Sequence, residues 1–153
     1  MRWRSFVAVG DSFTEGLNDI LPDGRLRGWA DLVAARLATE RTAAPVDAAA
    51  RPRGGEAGAA GSGGAPSDDG GFRYANLAVR GRLFRRVVDE QVPVALEMAP
   101  DLASFAAGGN DALRPSFDPE PLVARFDELV RTFRATGADV ILFRWVDVSK
   151  RLP

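Results

Sequence analysis

Four short apolar runs alternate along the chain with longer stretches in which apolar residues return every three or four positions. Phe6-Val7-Ala8-Val9 is apolar without interruption, the pattern of a strand buried on both faces of a parallel sheet. A loop turned by Pro22-Asp23-Gly24 follows. In residues 29–41, Trp29, Leu32, Val33 and Leu37 fall at helical spacing and predict an amphipathic helix. Residues 72–77 predict a second strand, and residues 83–98 a helix bent or divided at Pro93. A third strand, residues 102–106, runs into Gly108-Gly109-Asn110-Asp111. Pro119 and Pro121 then open a helix striped by Leu122, Phe126, Leu129 and Phe133, and Gly137 closes it. Val140-Ile141-Leu142-Phe143 is the fourth strand. The alternation β-α-β-α-β-α-β predicts an α/β sandwich built on a parallel sheet.

Residues 42–71 break the pattern. They hold eight of the 16 glycines and three prolines, with Val46 as the one large aliphatic residue. Such a segment buries too little apolar surface to offset its chain entropy, so it reads as a disordered insertion in a single domain spanning residues 1–153. The chain stops at Pro153, a loop's length past the fourth strand. No helix follows to cover that strand, which predicts a domain cut short, with its C-terminal portion missing.

Composition narrows the partners. A net charge of −1 and 46% hydrophobic residues fit a soluble domain with no general field for nucleic acid or an anionic membrane. No run is long and apolar enough for a leader or a membrane span, so a cytoplasmic location is expected. The chain contains no cysteine and no histidine, which excludes disulfides and thiolate or imidazole metal sites. No carboxylate cluster suggests a metal, and no cofactor is expected. Arg80, Arg82, Arg85 and Arg86 form the one basic cluster, a solvated helix face or, alternatively, an anion site.

Candidate chemistry collects at the strand ends. Ser12, the segment from Asn76 to Gly81, and Asn110 each follow a predicted strand, and open α/β sheets bind ligands beyond the carboxyl ends of their strands. Each also has a structural reading. Ser12-Phe13-Thr14-Glu15 is a capping box, and Gly81, Asn110 or Asp111 would serve an ordinary turn.

Taken together, the ordered blocks Gly10-Asp11-Ser12-Phe13-Thr14-Glu15-Gly16, Asn76-Leu77-Ala78-Val79-Arg80-Gly81 and Gly108-Gly109-Asn110-Asp111 resemble those of SGNH-type (GDSL) hydrolases. The match runs from Phe6 to about Val146. Thr14 stands where a G-x-S-x-G elbow has its second glycine, which sets the chain apart from α/β-hydrolases. The resemblance implies a three-layer α/β/α sandwich of flavodoxin-like type and hydrolysis of a small-molecule acyl ester. It casts Ser12 as nucleophile and as a backbone donor to the oxyanion. Gly81 would be a second backbone donor, with glycine allowing close approach, and the side-chain amide of Asn110 a third. Asp11, Gly109 and Asp111 would support them, Asp11 as a partner of the turn.

The family's fourth block, Asp-x-x-His, has no counterpart here. Asp118, Asp139 and Asp147 are carboxylates without an imidazole, too weakly basic to activate a serine at neutral pH. The expectation is therefore the N-terminal part of a serine ester hydrolase, inactive or very weak on its own. The alternatives are a ligand-binding pseudoenzyme or remnant, and half of a split hydrolase completed by a second chain. A nucleotide site is disfavoured, since neither a G-x-G-x-x-G spacing nor a Walker lysine is present.

Overall fold

A computed structural model describes residues 2–43 and 71–143. The elements are β1 (Ser5–Gly10), α1 (Ser12–Glu15), α2 (Trp29–Ala43), β2 (Arg73–Asn76), α3 (Phe84–Glu97), β3 (Leu102–Ala106), α4 (Gly109–Ala112), α5 (Pro119–Ala135) and β4 (Asp139–Leu142). The four strands form one sheet in the order β2-β1-β3-β4, and every pairing is parallel. Chain order reverses direction at the β1/β3 boundary, where the carboxyl ends of neighbouring strands open a crevice.

The uninterrupted apolar run in β1 is explained by burial on both faces. Val7 and Val9 pack with Phe84, Val87, Phe105, Leu129 and Phe133 under α3 and α5. Phe6 and Ala8 point the other way, onto Ala30, Ala34 and Leu37 of α2. Two cores on opposite faces of one sheet make the three-layer α/β/α sandwich. Tyr74 on β2 ties the α2 layer to the sheet by donating its hydroxyl to Asp31 at 2.8 Å. Burial, aided by the Asp31 charge, raises the Tyr74 phenol well above its ordinary range.

Three details differ from the sequence expectation. The buried stripe of α2 is Ala30, Ala34 and Leu37, while Leu32 is 52% exposed. Alanines permit close approach of a helix to a sheet, yet they register weakly in a pattern dominated by larger side chains. Pro93 does not divide α3, which runs unbroken from Phe84 to Glu97. The proline is on the exposed face, where water can serve the carbonyl that it leaves without a helical donor. Finally, α2 extends to Ala43, two residues into the predicted insertion. The rest of that insertion lies outside the described residues, apart from Gly71 just before β2.

Candidate active site

The site begins where β1 ends. Gly10 lies so close to β3 that a Cβ there would meet Ala106 O at 2.5 Å and Thr14 Oγ1 at 2.7 Å. Gln91, buried on α3, grips the same residue twice. Its Oε1 accepts from Gly10 N and its Nε2 donates to Gly10 O, both at 2.9 Å. Asp11 N continues the sheet by donating to Ala106 O at 3.3 Å.

Asp11 then starts α1. Its carboxylate accepts from Phe13 N at 3.2 Å, so Asp11 is the N-cap and Ser12 the first helical residue. This corrects the capping-box reading, in which Ser12 would be the cap and Glu15 its reciprocal partner. Aspartate one residue earlier caps equally well, and Glu15 is drawn outward to Arg80. The reassignment frees Ser12. It is half-buried, and neither its hydroxyl nor its backbone N–H finds a hydrogen-bond partner among the described residues. An unpaired N–H is the ordinary condition of a first-turn helical residue and makes it an available donor.

The other two loops are fastened around this turn. Asn76, ending β2, donates from Nδ2 to Thr14 O at 2.9 Å, while its Oδ1 accepts from Ala78 N at 3.1 Å. Glu15 accepts from Arg80 twice, from the backbone N at 3.1 Å and from Nε at 2.8 Å. Gly81 follows with φ +74°, and no atom lies within 4 Å of where its Cβ would stand. Its backbone conformation, not crowding by the protein, is what favours glycine there. The Gly81 N–H has no partner among the described residues.

After β3, Gly108 turns the chain with φ +102° into α4. Asn110 donates from Nδ2 to Arg82 O at 3.0 Å and, at a longer 3.5 Å, to Asp11 Oδ2. Asp111 accepts from Phe84 N at 2.8 Å and so secures the start of α3. Gly109, the first residue of α4, is half-buried and leads into this pair. Asn110 and Asp111 thus clamp the loop that contains Gly81 from either side of Leu83. Asp11 is 4% exposed, and burial pushes its carboxyl above the ordinary range, with the nearby Asp111 charge adding to the shift and the Phe13 N–H opposing it.

Sequence reasoning missed Gln91 and the Glu15–Arg80 tie. An amide at position 91 interrupts the apolar stripe between Val87 and Ala95, and that interruption was its only signal. Thr14 is fully buried with Oγ1 unpartnered, wedged against Gly10. Among the described residues, no group of three or more His, Cys, Asp or Glu is arranged to hold a metal ion, and no helix is long and apolar enough to cross a membrane. The cluster at residues 80–86 is largely paired: Arg80 with Glu15, and Arg82 and Arg86 with Glu90.

The parallel α/β/α sandwich, with Ser12 at its switch point, is of a kind found in one family. The pattern of the GDSL-like Lipase/Acylhydrolase family matches residues 8–152, and the chain belongs to that family. A search of curated protein sequences finds no match. Among solved structures the fold is similar to that of TesA, with a TM-score of 0.62 and 24% identity over 96% of this chain and 64% of that one. It is also similar to esterase EstA from Pseudoalteromonas sp., at TM-score 0.56 and 16% identity over 91% of this chain and 58% of that one. A catalytic mutant of Axe2, an acetylxylan esterase from Geobacillus stearothermophilus, matches at TM-score 0.55 and 17% identity over 91% and 58%. The chain therefore spans less than two thirds of the length of each of these proteins.

Proposed function

We propose that this chain carries the nucleophile and the oxyanion-stabilising part of a serine ester hydrolase acting on a small acyl ester. The observation that supports it most is the set of ties that fastens three strand-end loops to one another beside Ser12 while its hydroxyl, its N–H and the Gly81 N–H find no partner among the described residues. In this reading Ser12 Oγ attacks the carbonyl carbon as its proton passes to a base. The carbonyl oxygen gains the charge and accepts from Ser12 N, Gly81 N and Asn110 Nδ2. The second Asn110 proton, held by Asp11 only at 3.5 Å, is the one free to turn toward it. Collapse expels the alcohol, which takes up the base's proton, and water releases the acid by the same two steps. Removing one such donor costs about 3–4 kcal/mol of transition-state stabilisation.

The base is the missing part. The 153 residues include no histidine. A catalytic mutant of Axe2 carries alanine in place of a histidine, which supports a histidine base in that enzyme and the same need here. Neither nearby carboxylate replaces it, since Asp11 is buried on the Phe13 N–H and Asp111 is engaged by Phe84 N. Losing the base of a serine triad costs about 10⁴–10⁶-fold in rate. Pure chain is thus expected to cleave p-nitrophenyl acetate no faster than its Ser12→Ala variant. Fast turnover abolished by Ser12→Ala would show that a base is present after all. A phosphonate ester in excess should still label Ser12 slowly, as the phosphonate-inhibited EstA structure suggests. Adducts found by mass spectrometry only at other residues would remove Ser12 from the role.

A further inference from the structure

Next to the candidate site, sharing Phe84 and Asp111 with its scaffold, lies a cavity of about 620 Å³. That volume is in the range of small-ligand sites. Three arginines line it from three separate places in the fold: Arg85 on α3, Arg114 in the turn after α4, and Arg125 on α5. The two carboxylates of the cavity each accept a backbone N–H at a helix start, which offsets part of their charge, and the three arginines outnumber them. Asp111 accepts from Phe84 N at 2.8 Å, and Asp118 accepts from Glu120 N at 3.0 Å.

The arginines are loosely held by comparison with their neighbours. Arg80 reaches Glu15 at 2.8 Å, whereas Arg85 reaches Asp89 at 3.4 Å with its side chain 90% exposed. Arg125 reaches Glu128 only at 3.6 Å, and Arg114 has no ion pair among the described residues. Exposed pairs at such distances contribute little and give way easily to a better acceptor. The remaining wall offers Phe117 and Leu122, apolar surface beside the charges.

We propose that this cavity binds an amphiphilic organic anion, with a phosphate or carboxylate head against Arg85, Arg114 and Arg125 and a short apolar chain against Phe117 and Leu122. Guanidinium forks match either head group with paired hydrogen bonds. The claim concerns binding alone and does not rest on the chemistry of Ser12. If the ligand is a substrate, the adjacency of Asp111 to Asn110 places its charged end beside the reacting ester.

Isothermal titration of the full chain with hexyl phosphate, hexanoate, hexyl glucoside and inorganic phosphate tests it. One or both amphiphilic anions should bind, more weakly as salt is raised, and the tighter of the two identifies the head group. Arg114→Ala should weaken that binding about tenfold, the loss of one charge-assisted contact, and Arg85→Ala with Arg125→Ala should weaken it further. These side chains are exposed, so the variants should fold as the parent does. Ser12→Ala should bind as the parent does, which separates this result from any failure of the ester chemistry. The proposal is overturned if neither anion binds at millimolar concentration, or if the arginine variants leave affinity unchanged. It is also overturned if hexyl glucoside or inorganic phosphate binds as tightly as the tighter of the two amphiphilic anions.

Discussion

Replacing Gln91 tests how the serine turn is held. Gln91 is 4% exposed and contacts Gly10 at both N and O, each at 2.9 Å. Gly10 O has a second donor, Val79 N at 3.3 Å, so it stays satisfied when the amide is removed. Gly10 N has no second acceptor among the described residues, and a buried N–H left unpaired costs about 1–3 kcal/mol. Gln91→Leu should therefore lose about that much of a total stability on the order of 5–15 kcal/mol. In urea, monitored by circular dichroism, the midpoint should fall by roughly 1 M with an unchanged slope. Gln91→Glu sharpens the test. A glutamate keeps the acceptor for Gly10 N but, when ionised, sets a buried carboxylate against Gly10 O. Burial raises its folded pKa above the unfolded value of about 4.3, so the native state binds the proton more tightly. The stability of this variant should then fall as pH rises through that window. A Leu variant within about 0.5 kcal/mol of the parent, or a Glu variant with the parent's pH profile, would refute the reasoning.

Two further outcomes follow from the same turn. Burial holds the Asp11 carboxyl above its ordinary value of 3.8, so the native state retains that proton and the associated stability declines as pH climbs past 3.8. Asp11→Asn should remove this decline, its urea midpoint gaining on the parent between acid and neutral pH; a gap independent of pH would contradict the assignment. Gly10→Ala forces a Cβ to within 2.5 Å of Ala106 O and should destabilise by about 1–3 kcal/mol or more, measured by thermal unfolding. Because the Ala106 carbonyl is backbone, adding Thr14→Ala should recover only part of that loss, and full recovery would show that the Thr14 contact alone was responsible.

Much of this architecture was legible because it rests on short-range signals. The unbroken apolar run at Phe6–Val9 announced a strand buried on both faces, and Pro119 with Gly137 bracketed α5 closely. The strand ends that carry Ser12, Gly81 and Asn110 followed from the same punctuation. What escaped depended on atoms brought together from afar. Whether Asp11 or Ser12 caps α1 is decided by competition between two adjacent good caps, and Glu15 is settled by Arg80, 65 residues away. The buried face of α2 was misread because alanine fills a close helix–sheet contact without looking apolar in a pattern. Gln91 reads as an ordinary helix former until β1 is seen beneath it.

The placement of β1 in the middle of the sheet also has a consequence for synthesis. The first strand made needs partners that are made much later: Ser5 N and Ser5 Oγ are satisfied by Asp101, 96 residues downstream. At about 5–20 residues per second, β1 waits roughly 5–20 s between leaving the ribosome and meeting β3. Throughout that interval the backbone N–H and C=O groups of this apolar strand have no partner on the β3 side. A strand fully buried in the finished protein is thus open to mispairing while the chain is being made.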